Sequence, residues 1–481
     1  MKQPNIVLFV SDQQQWSTIC GRGPARSPHI DRLATEGLRF ERPYATVALC
    51  CPSRAALISG QYPWHNGILN QIHVPERTRS DMVPDVQTYS QRLNAAGYRL
   101  GYSGKWHASW DRTPLDFGFH DLGAPNGYNP DTLRPLGLAA AEEGRPPRRI
   151  DVERTITWPG DGPATFYGID RGAEEATGAY RATSAGIALF EGYARDRPEQ
   201  PWFVTINVVE PHDPYLPLAR YAAHYDPADV ALPPSWSDDF IGKPNMNRRD
   251  AGMWAALTED EVRTAIARYW AYCEQVDAQV GRVLDALERG GLADDTVVVF
   301  TSDHGDMAGA HRQFIKGWQP YEETYRVPLV IRWPGVIAPG GACERLVQLH
   351  DLAHTFAAIG GGEPITPADG RSLLPLLRDP HAAWGEDTAF CCYYGGEFLY
   401  TQRMVITATH KYVFNGFDFD ELYDLVADPH ELHNRLDDPA YAAVRDELLT
   451  LLWARMERHG DPYAQNRYGA PRYLPRPAAR A

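Results

Sequence analysis

Asn5-Ile6-Val7-Leu8-Phe9-Val10-Ser11-Asp12-Gln13 is the stretch that decides the fold. A strand that hides one face alternates apolar and polar residues. A strand covered on both faces reads as an unbroken apolar run, the mark of a parallel sheet between helices. Here the run through Val10 is unbroken and ends abruptly in polar residues. The same pattern recurs downstream. Tyr98–Ser103 runs into Gly104-Lys105-Trp106-His107, and Trp202–Val209 into Glu210-Pro211-His212-Asp213. Thr296–Thr301 runs into Ser302-Asp303-His304-Gly305-Asp306, and Val327–Trp333 reads as a further strand. Ligands of such sheets bind beyond the carboxyl ends of the strands. The polar clusters sit there each time.

Helical patterns separate these strands over Pro28–Gly37, Asp85–Gly97, Ala173–Arg195 and Thr258–Leu287. The last opens on a capping box, Thr258 with Glu261. It carries one apolar stripe: Val262, Ile266, Tyr269, Cys273, Val276, Val280, Leu284 and Leu287. The fold class expected is α/β, a large mostly parallel sheet sandwiched by helices. Residues 1–380 form this catalytic domain, with an irregular Pro-, Gly- and charge-rich insertion at about 123–172. Beyond it, Thr388–Tyr394, Phe398–Thr407 and Lys411–Asn415 read as short antiparallel strands and Tyr441–Arg458 as a closing helix. That makes residues 381–460 a smaller α+β subdomain. Residues 461–481 read as a tail, disordered or wrapped on a partner subunit in a homo-oligomer.

The chain has 481 residues and a net charge of −15. An acidic chain argues against a nucleic-acid partner, so any anionic ligand must be held by a few placed cations. No run is long enough to cross a membrane. Met1-Lys2-Gln3-Pro4 leads directly into the first strand without a signal-peptide pattern, which points to the cytoplasm. The seven cysteines (20, 50, 51, 273, 343, 391 and 392) are odd in number and irregularly spaced. They form neither a disulfide framework nor a paired zinc motif.

Leu49-Cys50-Cys51-Pro52-Ser53-Arg54-Ala55-Ala56-Leu57-Ile58-Ser59-Gly60 places two cysteines at the start of a short apolar helix. Free N–H groups and the helix dipole favour anions there, and Arg54 adds a fixed cation with a fork of donors. Either cysteine could be the reactive one on this reading.

The segment resembles the sulfatase signature Cys-x-Pro-Ser-Arg. Gly97-Tyr98 leading to Gly104-Lys105-Trp106-His107 resembles the second signature of that family, and Ser302-Asp303-His304-Gly305-Asp306 its metal-binding strand end. Glu421-Leu422-Tyr423-Asp424-Leu425, continuing through Asp428-Pro429, Glu431 and Asn434, is similar to its C-terminal segment. Four motifs in order across nearly the whole chain are specific in a way that one short pattern is not. The resemblance implies an alkaline-phosphatase-like fold. It singles out Cys50, two positions before Pro52, for oxidation to formylglycine by a formylglycine-generating enzyme, with Cys51 at the variable position. It implies one divalent metal held by Asp12, Gln13, Asp303, His304 and the matured Cys50. Many sulfatases have Asp and Asn where Gln13 and His304 stand here, and hold calcium. The Gln and His resemble the choline-sulfatase and phosphonate-monoester-hydrolase branch. Ca²⁺ is expected first, with Mn²⁺ the alternative.

The activity implied is hydrolysis of a sulfate monoester, on a small molecule or a glycan. The aldehyde hydrate is the nucleophile and a covalent sulfo-enzyme forms on the way. Arg54 and the metal activate the hydrate, and Asp303 takes its proton. Lys105 and Lys316 counter the charge on sulfate. His212 protonates the leaving oxygen, alone or with Lys316, and His107 deprotonates the second hydroxyl. Asn70, Tyr215, His311 and Trp318 are pocket candidates by position only. A phosphonate monoester or phosphodiester hydrolase is the alternative, but relatives of that kind lack the Lys-x-His pair seen at Lys105 and His107. A catalytically silent binding protein on the same fold is the alternative of another class.

Overall fold

A computed structural model describes residues 3–75, 77–136, 147–157, 162–385, 387–396, 399–416, 418–466 and 474. Strand β1 (Asn5–Ser11) is central to it. Alternate side chains of a strand point to opposite faces, and both sets here are buried. Ile6, Leu8 and Val10 join one apolar cluster with Ala55, Leu352 and Phe356. Val7 and Phe9 join another with Ile30, Phe190, Val280 and Leu284. Each fully buried side chain of this size contributes about 1.5–3 kcal/mol, so an unbroken apolar run is what this position selects.

Around β1 the sheet has eight strands. The others are β2 (Leu38–Tyr44), β3 (Arg99–Lys105), β4 (Asp121–Asn126), β7 (Trp202–Asn207), β8 (Thr296–Ser302), β9 (Leu329–Arg332) and β10 (Gly341–Gln348). Their spatial order is β10-β2-β9-β8-β1-β7-β3-β4. β1 pairs in parallel with β7 and β8, and β3 with β4 and β7. β9 alone runs antiparallel to its neighbours β8 and β2. One face is covered by helices α2 (Cys50–Ser59) and α6 (Asp351–Ile359). The other is covered by α1 (Pro28–Thr35), α4 (Gly178–Asp196) and α5 (Glu259–Arg289). The capping box at Thr258 is present, and all eight residues of the expected stripe on α5 are buried. The expected α/β fold is therefore the observed one.

Some expectations change in detail. The helix expected from Asp85 starts at Tyr89 as α3 (Tyr89–Ala95), because Thr88 caps it with Gln91. The expected irregular insertion contains the end of β4 and an antiparallel ribbon, β5 (Ile150–Thr157) with β6 (Pro163–Asp170). β5 is mostly exposed, so no alternation of apolar residues marks it. Residues 137–146 and 158–161 of that insertion lie outside the described residues. The C-terminal sheet is antiparallel in the order β11 (Ala389–Tyr393), β12 (Gln402–Ile406), β13 (His410–Asn415), β14 (Glu421–Asp424). It packs on α7 (Ala442–Arg458) through Phe390, Val405, Leu449 and Leu452. β12 is shorter than the expected 398–407, whose first residue is not described. Asp461, placed at the head of the tail, is fully buried and paired with Arg403, and Leu474 packs against the same core. The rest of the tail, 467–473 and 475–481, lies outside the described residues. Among the described residues no helix is long and apolar enough to cross a membrane.

Candidate active site

Four strand ends and one helix start converge. β1 delivers Asp12, β8 delivers Asp303 and His304, β3 delivers Lys105 and His107, and the turn after β7 delivers His212. α2 presents Cys50 from its first position, and no side chain caps its N-terminus at Leu49. Gly104 makes the approach of β3 to β7 feasible. Its φ is +91°, and a Cβ there would lie 1.9 Å from the Asn207 carbonyl oxygen. Only glycine fits such a position.

Asp12, Cys50, Asp303 and His304 are fully buried, and one ligand atom from each lies within 4.8 Å of the others. Cys50 Sγ is 3.2 Å from His304 Nε2 and 3.7 Å from Asp12 Oδ1. His304 Nδ1 is 2.9 Å from the Gly305 carbonyl. A proton held at that nitrogen leaves Nε2 as the atom facing the carboxylates, the arrangement of a metal-ligating imidazole. Two carboxylates, an imidazole and residue 50 around one point suit a hard to borderline divalent cation. Burial lowers the His304 pKa, but Asp303 and Cys50 lift it to about 9. The point thus attracts positive charge, as a proton or as a cation.

Arg54 locks this group. Its Nε donates to Asp303 Oδ2 at 2.8 Å and Nη2 to Asp12 Oδ2 at 3.3 Å. Nη1 donates to the Lys105 carbonyl at 3.2 Å and to Asn207 Oδ1 at 3.3 Å. Lys105 Nζ also donates to Asp12. Burial and Cys50 push the Asp12 pKa up, yet Lys105, His212 and Arg54 bring it down to about 2. Burial and Asp12 raise that of Asp303. Burial opposes ionisation of Cys50, but Lys105, Lys316 and His304 hold its thiol well below the ordinary value. Burial, then Cys50, push the neighbouring Cys51 up to about 12, against a weaker pull from Lys105 and Arg54.

Gln13, the fifth expected ligand, stands beside the cluster. Its backbone N–H donates to Asp303 Oδ1 at 3.1 Å. Its side-chain Nε2 donates to Asp306 and Asp213, and its Oε1 accepts from Lys316 at 2.6 Å. Lys316 Nζ also lies 2.5 Å from His212 Nε2. Burial and Lys316 push the His212 imidazole down, but Asp213, Cys50 and Asp12 lift it above its ordinary value. His107 goes the other way: burial, then Lys105, pull it to about 4. The two imidazoles of one cavity are thus pushed in opposite directions. Cys50, Lys105, His107, His212 and Lys316 line one cavity of about 360 Å³, completed by Gln71, His73, Asn126, Asp213 and Tyr393 among others.

All ten positions expected for catalysis or metal binding thus meet at one place. The four positional candidates do not line the cavity. Tyr215 is buried behind it and donates to Asp306 at 2.7 Å. Asn70 is occupied with the backbone and hydroxyl of Thr78. His311 stacks on Tyr321 and bonds Asp238 elsewhere. Trp318 packs in an apolar cluster with Leu49 and Tyr400. Sequence reasoning assigned no role to Asn207, which holds Arg54, or to Asp306, which holds Gln13. Asp306 stood in a quoted motif, whereas Asn207 lay inside an apolar run with no signal.

The family described as "Sulfatase" matches residues 4–362, and "N-sulphoglucosamine sulphohydrolase, C-terminal" matches 309–458. An uncharacterised sulfatase of Escherichia coli is 28% identical over 96% of this chain and 89% of its own. An N-acetylglucosamine-6-O-sulfatase of Bacteroides thetaiotaomicron is 27% identical over 96% of this chain and 87% of its own. A choline-sulfatase of Rhizobium meliloti is 27% identical over 91% and 83%. Among solved structures, a phosphonate monoester hydrolase of Agrobacterium radiobacter superposes with a TM-score of 0.72 at 25% identity, covering 95% of this chain and 96% of its own. With the family match running through every strand end that builds the cavity, this chain belongs to the sulfatase family.

Proposed function

We propose that the chain hydrolyses a sulfate monoester of a small molecule or a glycan, with residue 50 matured to formylglycine. The observation that carries this reading is the buried group of Asp12, Cys50, Asp303 and His304 at the floor of a cavity ringed by Lys105, Lys316, His107 and His212. Asp12, Asp303, His304 and residue 50 would hold a divalent cation, Ca²⁺ first and Mn²⁺ second, with Gln13 the fifth expected ligand. The cation would lower the pKa of the aldehyde hydrate at residue 50, which would serve as the nucleophile.

The chain's own side chains do the rest. Arg54 keeps Asp12 and Asp303 ionised and fixed in place. Asp303 receives the proton of the nucleophile. Lys105 and Lys316 bind sulfate oxygens and offset charge where little water reaches. His212, raised and beside Lys316, donates a proton to the departing alcohol. His107, neutral, takes a proton in the return step. Because Cys50, Cys51 and Arg54 are buried in α2, a maturing enzyme would have to meet this segment before it folds.

Two measurements test the reading together. Mass spectrometry of the peptide bearing residue 50, from protein made in its native host, is expected to find an aldehyde. Turnover of aryl, sugar and choline sulfates is expected to exceed that of aryl phosphonates and phosphodiesters in kcat/KM. An intact thiol at residue 50 in active protein would overturn the nucleophile. The likeness to the Agrobacterium enzyme favours phosphonate monoesters as the second reading, and a higher kcat/KM on phosphonates would select it.

A further inference from the structure

Cys51 takes no part in the chemistry above. One step along an α-helix rotates a side chain by about 100°, so Cys51 leaves the carboxylates that Cys50 faces. Its Sγ lies instead with one ring nitrogen each of His73 and His107, all within 4.8 Å of one another. The two rings stack, with centroids 5.0 Å apart and planes at 26°. His107 Nδ1 is buried and has no hydrogen-bond partner among the described residues. A buried ring nitrogen without a partner is costly, and a bound ligand at that atom removes the cost.

We propose that Cys51, His73 and His107 form a second metal site, distinct from the carboxylate cluster and selective for a soft to borderline cation, Zn²⁺. The donor set is one sulfur and two imidazoles, with no carboxylate, which suits Zn²⁺ and disfavours Ca²⁺. Zinc bonds of about 2.0–2.3 Å in a tetrahedron bring ligands to roughly 3.3–3.8 Å of each other. The separation therefore closes by up to about 1.5 Å, which side-chain rotation at the exposed His73 can supply. On binding, the Cys51 thiol gives its proton to solvent as the S–Zn bond forms, and both imidazoles bind neutral. No electron is transferred. The fourth position opens on the cavity, which His73 and His107 both line. Since His107 is the base of the proposed function, Zn²⁺ here inhibits turnover. That consequence alone rests on the proposed function.

The probe is Co²⁺, added to the full-length protein already saturated with Ca²⁺, and then displaced by Zn²⁺. Wild type is expected to show a near-ultraviolet sulfur-to-cobalt charge-transfer band that Zn²⁺ removes, and to retain one more equivalent of Zn²⁺ than either Cys51→Ser or His73→Ala. Both of those variants lose the band. Cys50→Ala keeps it, although by the proposed function that variant is inactive. Zn²⁺ is expected to inhibit wild type and to leave Cys51→Ser turning over. A wild type without the band, or a band that survives in Cys51→Ser, overturns the site. Because the band is read without substrate, it stands or falls independently of whether any sulfate ester is hydrolysed.

Discussion

Replacing Arg54 by Lys keeps the charge at the centre of the site and removes its geometry. The guanidinium makes four contacts: to Asp303, Asp12, the Lys105 carbonyl and Asn207 Oδ1. A lysine offers one ammonium on a shorter reach in place of a planar fork, so it can serve one carboxylate. The two bonds to neutral oxygens are worth about 1 kcal/mol each and the second carboxylate bond about 2 kcal/mol. Their sum of about 4 kcal/mol corresponds to about a thousandfold in rate if all of it is expressed in the barrier. Part of it falls on stability, because Asp12 loses a partner in a fully buried position. We therefore expect Arg54→Lys to lower kcat/KM on an aryl sulfate by about 100–1000-fold, with a smaller loss of thermal stability. Asn207→Ala removes one of the four bonds and is expected to cost about 5–10-fold. The double variant should fall short of the product of the two, because both act on one guanidinium. An Arg54→Lys enzyme within about threefold of wild type, at equal cation content, would refute the view that geometry and not charge alone matters at this position.

Exhaustive chelation should abolish turnover and lower Tm, since a cation held by Asp12, Asp303, His304 and residue 50 would bind only the folded chain. Ca²⁺ or Mn²⁺ should restore both, and indifference of Tm and activity to chelation would remove the site. The raised pKa of His212 means that its protonated, donating form persists above the ordinary imidazole value, so kcat/KM should fall only as pH climbs past about 6.5. Lys316 pushes that imidazole down, so Lys316→Met should move this alkaline limb to higher pH even as the rate drops; a limb that moves to lower pH contradicts the assignment. In the C-terminal sheet, Arg403→Ala leaves the buried Asp461 carboxylate unpaired. A loss of about 3–5 kcal/mol in a denaturant titration is expected there, and a change below about 1 kcal/mol would show that the pair anchors nothing.

How much of this was legible before the structure depended on what kind of burial each element has. β1, β3, β7 and β8 announce themselves because helices cover both faces and polar residues are excluded until the strand ends. β2 escaped notice because Arg39, Glu41, Arg42 and Pro43 interrupt it, yet it pairs with β9 and β10. Its half-buried positions at Arg39, Glu41 and Arg42 tolerate charge that β1 cannot. The site divides in the same way. Asp12, Lys105, His107, His212, Asp303 and His304 each break an apolar run, and the break is a signal in one dimension. Asn207 acts only because Arg54, 153 positions earlier, reaches it, and Gln71, Asn126 and Tyr393 reach the cavity from three unrelated loops or strands. No local pattern encodes such meetings.

The adjacent cysteines show where resemblance ended and physics began. Order in the signature could choose Cys50 over Cys51 but could not say why the choice matters. Helix geometry does. Two residues that are neighbours in the chain are turned about 100° apart. One faces Asp12 and His304 under the field of two lysines; the other faces two histidine rings and the wall of the apolar core. Exchanging the two environments by moving the cysteine one position is thus not a conservative change. A Cys50→Ala protein that still carries Cys51 should be as inactive as one with neither, because the remaining sulfur faces His73 and His107 in place of Asp12 and His304.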